Sequence, residues 1–153
     1  MKILIKFISV LFFTTSCGFK VANLDNNFKF IEINTTGDNK ISYLLKNGLM
    51  TYSSNRSSYL ITINANTELK KLVKEKNINN QITKYQIQIE TNIDYKNMDG
   101  KLSKNFTIQK IGNYNVGTKF TNTKENEKKL ITRLVDEMIE DISRRISLDL
   151  NDY

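Results

Sequence analysis

The one cysteine of the sequence, Cys17, stands directly behind a short apolar run and is the residue best placed for covalent chemistry. The run spans residues 7–13 and follows a basic start with Lys2 and Lys6. A positive start, an apolar stretch, small residues and a cleavage point are typical of an export signal. A cysteine at the cleavage point predicts a lipoprotein signal, so that Cys17 becomes the first mature residue and carries acyl chains such as palmitate.

The predicted signal divides the chain into a signal peptide at 1–16, a lipidated tether at 17–27 and one domain at 28–153. The apolar run is far shorter than the ~20 residues that a membrane-spanning helix needs. Lipoprotein signals usually carry an aliphatic residue three positions before the cysteine, and here that position is Thr14. The alternative is a buried or incidental cysteine behind an apolar N-terminal strand.

The residue types that most enzymes need are scarce in this chain. There is no histidine and no second cysteine, so no ordinary zinc or haem site can form and the commonest general base is missing. The carboxylates of the last predicted helix stand beside arginines, which favours ion pairs over acid–base catalysis. We therefore predict no catalytic residues, no metal and no cofactor.

The charge of the chain points to an anionic partner. The formal net charge is +7, and lysines recur closely in one segment at Lys70, Lys71, Lys74 and Lys76. Such a balance suits nucleic acid, anionic lipid or a phosphate-rich glycolipid, and export excludes nucleic acid. The four lysines are a candidate binding site for a phosphorylated glycolipid, the alternative being an ordinary solvated face.

The first half of the domain reads as strand, helix and strand. Residues 28–33 alternate partly between apolar and polar, which predicts a strand. Asp38 is a good N-cap for a helix over 39–47 that ends at Gly48. A second strand follows from Tyr59, and residues 68–80 are predicted to be an irregular strand with a loop at 77–80.

The second half contains the clearest pattern of the sequence. Residues 85–95 alternate without error between apolar and polar, which predicts a strand with one buried face. Residues 97–100 suit a hairpin turn, a return strand follows over 101–111, and residues 112–121 read as a linker. Asn122 or Thr123, with Glu125, is expected to cap a long final helix. Its apolar stripe comprises Leu130, Ile131, Leu134, Val135, Met138, Ile139, Ile142 and Ile146.

These elements predict an α+β fold in the order β-α-β-β-β-α. Two helices packed on one face of a mostly antiparallel four-stranded sheet would bury the apolar stripe and the apolar strand faces together.

Four segments of the chain form an ordered set: the start Cys17-Gly18-Phe19, the first-helix segment 41–47, the strand segment 83–89 and the final helix over 127–146. Together they resemble the LptE (RlpB) family of lipopolysaccharide-assembly lipoproteins. No one of them is specific, and the resemblance rests on the ordered set along nearly the whole mature chain.

The resemblance implies a non-enzymatic lipoprotein on the periplasmic face of the outer membrane, and Gly18 after the cysteine is consistent with that location. It implies a plug inside the outer-membrane barrel protein LptD that helps the barrel assemble and helps deliver lipopolysaccharide to the outer leaflet. It also implies lipopolysaccharide contact near Lys76 and on the last helix, where Asp136 replaces a basic residue. The alternative is an unrelated lipid-anchored periplasmic binding module or envelope scaffold.

Overall fold

The computed structural model describes residues 27–53, 57 and 59–152, so the predicted signal, Cys17 and all but the last residue of the predicted tether lie outside the described residues. The elements are β1 (Phe28–Gly37), α1 (Asn39–Thr51), β2 (Tyr59–Lys76), β3 (Ile82–Asn97), β4 (Ser103–Asn115) and α2 (Phe120–Asn151). This order confirms the predicted β-α-β-β-β-α arrangement.

The four strands form one sheet in the order β1-β2-β3-β4. The β2–β3 and β3–β4 pairs are antiparallel, with Ile63 opposite Tyr95 and Tyr95 opposite Lys104. The β1–β2 pair is parallel, and α1 provides the crossover that a parallel pair requires. The sheet is therefore mixed but mostly antiparallel, as predicted.

Both helices lie on one face of the sheet and bury its apolar side. All eight residues of the predicted stripe on α2 are buried, and they form one core with the inward residues of the strands. The alternation predicted for β3 is confirmed, because Ile87, Ile89, Thr91, Ile93 and Tyr95 are all buried. None of the helices in the described part of the chain is both long enough and apolar enough to span a bilayer.

The first helix begins as predicted but ends later. The Asp38 side chain accepts hydrogen bonds from the backbone N–H groups of Lys40 and Ile41, at 3.0 and 2.9 Å. The predicted end at Gly48 is wrong, because α1 continues to Thr51. A Cβ on Gly48 would lie 2.1 Å from Cδ1 of Ile139, so this glycine lets α1 and α2 approach closely instead of ending the helix.

The last strand and the last helix also depart from the predicted bounds. β4 runs to Asn115, past the predicted end at residue 111. Gly112, expected to open a linker, is therefore part of the strand and packs against Leu130 and Leu134 of α2. The predicted capping box is wrong, since α2 begins at Phe120 with Lys119 at the N-cap and no side-chain cap. Thr123 accepts a hydrogen bond from the Gly117 N–H at 2.9 Å, so it holds the preceding turn.

The sheet has two distinct ends. At one end, the Tyr59 N–H donates to the Asn27 carbonyl at 3.3 Å, and the Asn27 side-chain amide reaches Asn151 at 3.5 Å. This is the anchor end, where residue 27 joins the domain next to the end of α2. The opposite end, which we call the tip, comprises the last residues of β2, the turn at 77–81 and the first residues of β3.

Candidate binding site at the tip of the sheet

The turn that closes the tip is organised by Asn77. Its side-chain oxygen accepts hydrogen bonds from the backbone N–H groups of Asn79 and Gln81, at 3.0 and 2.9 Å. Asn80 adopts a positive φ of 62°, a conformation that asparagine tolerates better than most residues. This confirms the loop predicted at 77–80.

All four candidate lysines are exposed residues of β2 at or near the tip. Lys74 occupies an irregularity in β2, between Val73, which pairs with Tyr85, and Glu75. Lys76 donates to the Asn80 side chain at 3.0 Å, immediately before the turn. Lys70 lies further back on the strand and forms a surface ion pair with Glu68 at 3.1 Å.

The fourth lysine, Lys71, points to the helix-covered side of the sheet and is already engaged. Its Nζ lies 2.7 Å from Oε2 of Glu127 on α2 and 4.4 Å from the centre of the Tyr85 ring. Tyr114 donates a hydrogen bond to the same Glu127 oxygen at 2.9 Å and stacks on Tyr85. The structure therefore separates Lys71 from the other three lysines and uses it to join α2 to the sheet.

The ionisation of this ion pair reflects its contacts. Burial opposes the charged form of Glu127, but hydrogen bonds from Lys71 and Tyr114 outweigh it and keep the pKa of the carboxyl below its ordinary value. Burial likewise disfavours the charge of Lys71, and its bond to Glu127 outweighs this and raises the lysine pKa. Both groups are charged at neutral pH and paired with each other, so Lys71 is not a free cation for a ligand.

Sequence reasoning missed the apolar part of the tip. Ile78 in the turn is fully exposed, and Leu72 and Val73 on β2 are each about half exposed. The sequence carried one usable signal, because two consecutive apolar residues in a strand point to opposite faces and cannot both enter one core. Exposed aliphatic side chains therefore stand among the tip lysines.

A groove of about 300 Å³ lies beside the tip, between the sheet and the first turns of α2. Phe120, which is 75% exposed, stands at its edge with the Lys124 ammonium 5.7 Å from the ring centre. The groove is lined by Lys71, Ile82, Tyr85, Val116, Gly117, Phe120, Thr123, Lys124 and Glu127.

The tip therefore combines lysine ammonium groups with exposed aliphatic and aromatic surface. Lysine binds phosphate as a mobile point charge, and aliphatic side chains next to it can cover an acyl chain. An amphiphile with an anionic head and an apolar tail is the ligand class that fits such a surface. Asp136, the acidic replacement on the last helix, is exposed midway along α2.

Three solved structures that match this fold are bacterial lipoproteins. The rare lipoprotein B of Shewanella oneidensis matches with a TM-score of 0.58 at 10% identity, over 78% of this chain and 97% of that one. A putative lipoprotein of Caulobacter crescentus matches with a TM-score of 0.57 at 8% identity, over 83% and 92%. The uncharacterized lipoprotein B of Nitrosomonas europaea matches with a TM-score of 0.52 at 13% identity, over 88% and 93%. At such identities these likenesses establish the fold alone.

The class that the fold defines is thus a two-layer α+β domain shared with small lipoproteins. Comparison with curated protein sequences gives no match. The family model described as LptE, lipopolysaccharide-assembly, matches residues 28–146, which covers every helix and strand up to the last turn of α2. The chain belongs to the LptE family, and its role lies in lipopolysaccharide assembly.

Proposed function

We propose that this chain is an outer-membrane lipoprotein, anchored on the periplasmic face through an acylated Cys17, that lodges inside the LptD barrel. In this role it assists the assembly of the barrel and contacts lipopolysaccharide on its way to the outer leaflet. The role is non-enzymatic. The observation that carries the proposal is the family match over residues 28–146.

The two ends of the domain support this arrangement. Residue 27 joins the sheet at the anchor end, so a lipid on Cys17 would hold that end near the membrane. The exposed lysines Lys70, Lys74 and Lys76 lie at or near the opposite end, together with Ile78. A domain held at one end and basic at the other can meet a phosphorylated glycolipid away from its anchor.

The barrel partnership is tested by purification of the tagged chain from outer membranes of its own host. We expect LptD to co-purify, and we expect the amount of folded LptD to fall when the chain is depleted. As a charge control, the purification is repeated with the double variant Lys40→Glu and Lys46→Glu, which reverses the charge of two exposed lysines on α1. Recovery of only a soluble partner, or of folded LptD at unchanged levels after depletion, would contradict the proposal.

Charge reversal at the tip should weaken the binding of lipopolysaccharide. A lysine near an anionic lipid surface contributes about 1 kcal/mol, so Lys74→Glu with Lys76→Glu should weaken binding at least about tenfold. The effect should shrink as salt is raised, because salt screens exposed charges. Fluorescence anisotropy of labelled lipopolysaccharide, with the chain in non-ionic detergent, measures both the loss of binding and its dependence on salt.

The α1 variant Lys40→Glu with Lys46→Glu makes the same change in net charge at another exposed site. It should bind nearly as well as the wild type, which separates a local contact from a general charge effect. Equal binding by the wild type and the tip variant would remove the tip from the site.

A further inference from the structure

A second groove lies between α2 and β4, nearer the anchor end than the tip. Its volume is about 450 Å³, comparable with the groove beside the tip. It is lined by Ile108, Asp141, Arg144, Arg145, Leu148 and Asp149.

The two acidic side chains of this groove already have cationic partners. Asp141 accepts from Lys110 at 2.5 Å and from Arg144 at 2.6 Å. Asp149 accepts from Lys104 at 2.6 Å and from the Tyr95 hydroxyl. Hydrogen bonds from Lys104 and Tyr95 outweigh burial and keep the pKa of the Asp149 carboxyl below its ordinary value. Each carboxylate is therefore paired with at least one cation of its own surface.

The cations around the groove outnumber these two acids. Lys104 and Lys110 come from β4, and Arg144 and Arg145 come from the exposed side of α2. The Arg145 guanidinium lies 4.5 Å from the centre of the Phe106 ring, a contact that holds it over the strand. The rim keeps a net positive charge after its internal ion pairs are counted.

The strand beside this groove is an edge strand. β4 is the last strand of the sheet and pairs only with β3 within the described residues, over its whole length of 13 residues. The edge of β4 that faces away from β3 carries a row of backbone N–H and C=O groups that can pair with another extended chain. On the face away from the helices it carries the polar Asn105, Thr107 and Gln109 and the half-exposed Ile111.

The charge of the rim decides which chain can pair there. A second copy of this protein would bring the same lysines and arginines against themselves, and like charges across an edge repel. An acidic strand would instead place carboxylates opposite Arg144 and Arg145, where arginine can bind each with two parallel hydrogen bonds. Ile108 and the exposed Leu148 offer an apolar contact between those charges.

We propose that an extended acidic segment of a partner protein adds to β4 as a fifth strand, with carboxylates on Arg144 and Arg145 and an aliphatic residue against Ile108 and Leu148. Backbone pairing supplies affinity and the alternate side chains supply selectivity, as in other cases of strand addition. This inference is independent of the proposed lipopolysaccharide contact, because the two use different surfaces of the domain.

A cyclic hairpin peptide tests the proposal, because its outer strand is ordered before binding and avoids part of the entropic cost. The outer strand of the peptide carries glutamate, valine and glutamate on one face, with threonines at the alternate positions. The full-length protein is kept in non-ionic detergent. We expect salt-sensitive binding by fluorescence anisotropy. Hydrogen–deuterium exchange should show new protection of backbone amides within 103–111, which strand addition requires and side-chain binding alone does not.

Matched peptides and variants decide the outcome. Replacing both glutamates of the peptide with glutamine should weaken binding about tenfold, and so should Arg144→Glu with Arg145→Glu in the protein. The milder Arg144→Gln with Arg145→Gln serves if the reversed variant folds poorly. Lys129→Glu with Arg133→Glu, both exposed on the same helix, is the charge control and should bind normally.

Three results would overturn the proposal. The first is equal binding of the acidic and the glutamine peptides, and the second is binding without new protection of β4 amides. The third is stronger protection of β4 by vesicles of anionic phospholipid than by the acidic peptide, which would make the groove a lipid site.

Discussion

Replacing Ile142 with alanine should lower the free energy of unfolding by about 3 kcal/mol, within the range that buried isoleucine-to-alanine changes span. Ile142 is 0% exposed and belongs to the α2 stripe that covers the sheet. The loss combines the transfer of the side chain to water with the cavity left between helix and sheet. Urea unfolding of the full chain in non-ionic detergent, followed by circular dichroism, measures the change.

Leu148→Ala is the matched control for Ile142→Ala. It removes a side chain of the same size from the same helix, but Leu148 is 58% exposed. We expect a change within about 0.5 kcal/mol, as is usual at exposed positions without special contacts. Similar losses for the two variants would mean that α2 does not pack on the sheet through the stripe.

Replacing Gly37 with alanine should cost about 3 kcal/mol for a different reason. Gly37 ends β1 with a φ of +94°, and an added Cβ would lie 1.9 Å from the Thr67 carbonyl oxygen. A left-handed conformation strains alanine, and this clash is with backbone and can be relieved only by moving β1 away from β2.

The surroundings of Gly37 make such a movement costly. Thr67 is buried, and its hydroxyl donates to the Thr36 carbonyl at 3.1 Å. Ser42 of α1 donates to the same carbonyl at 3.0 Å. A shift of β1 would therefore disturb the contact between the sheet and the start of α1. Thermal and urea unfolding of the variant measure the effect.

Gly100→Ala separates backbone strain from the clash. Gly100 also has a positive φ, of 71°, but its added Cβ would meet no atom within 4 Å. The strain alone should cost about 1 kcal/mol. If both variants lowered the free energy of unfolding equally, the close approach of β1 to Thr67 would add nothing to the cost of Gly37→Ala.

The elements with strong periodicity were predictable from the sequence. The alternation over 85–95 and the eight-residue stripe of α2 each require one buried face, and the structure buries the stripe and every residue of the alternating set except Tyr85, which is partly buried. Asp38 was predictable as a cap because its short carboxylate can reach the free N–H groups of the first turn. These elements were sufficient to predict the two-layer fold.

The features set by contacts between distant residues were not predictable. Gly48 looks like a helix stop, and only the position of Ile139 explains why the helix passes through it. Lys71 reads as one of four equivalent lysines, and its bond to Glu127 depends on the placement of α2 over β2. The tip lysines were visible in the sequence, whereas the exposure of Ile78 depends on the tertiary fold.

The length of β2 sets a distance scale for the whole molecule. Eighteen residues at about 3.3 Å each give a strand roughly 59 Å long, and it runs from the anchor end to the tip. A bilayer with its headgroups is about 40–45 Å thick. The strand is thus longer than the membrane is thick. If Cys17 is acylated as we propose, a lipid in one leaflet would leave room for the basic end to reach the depth of the other.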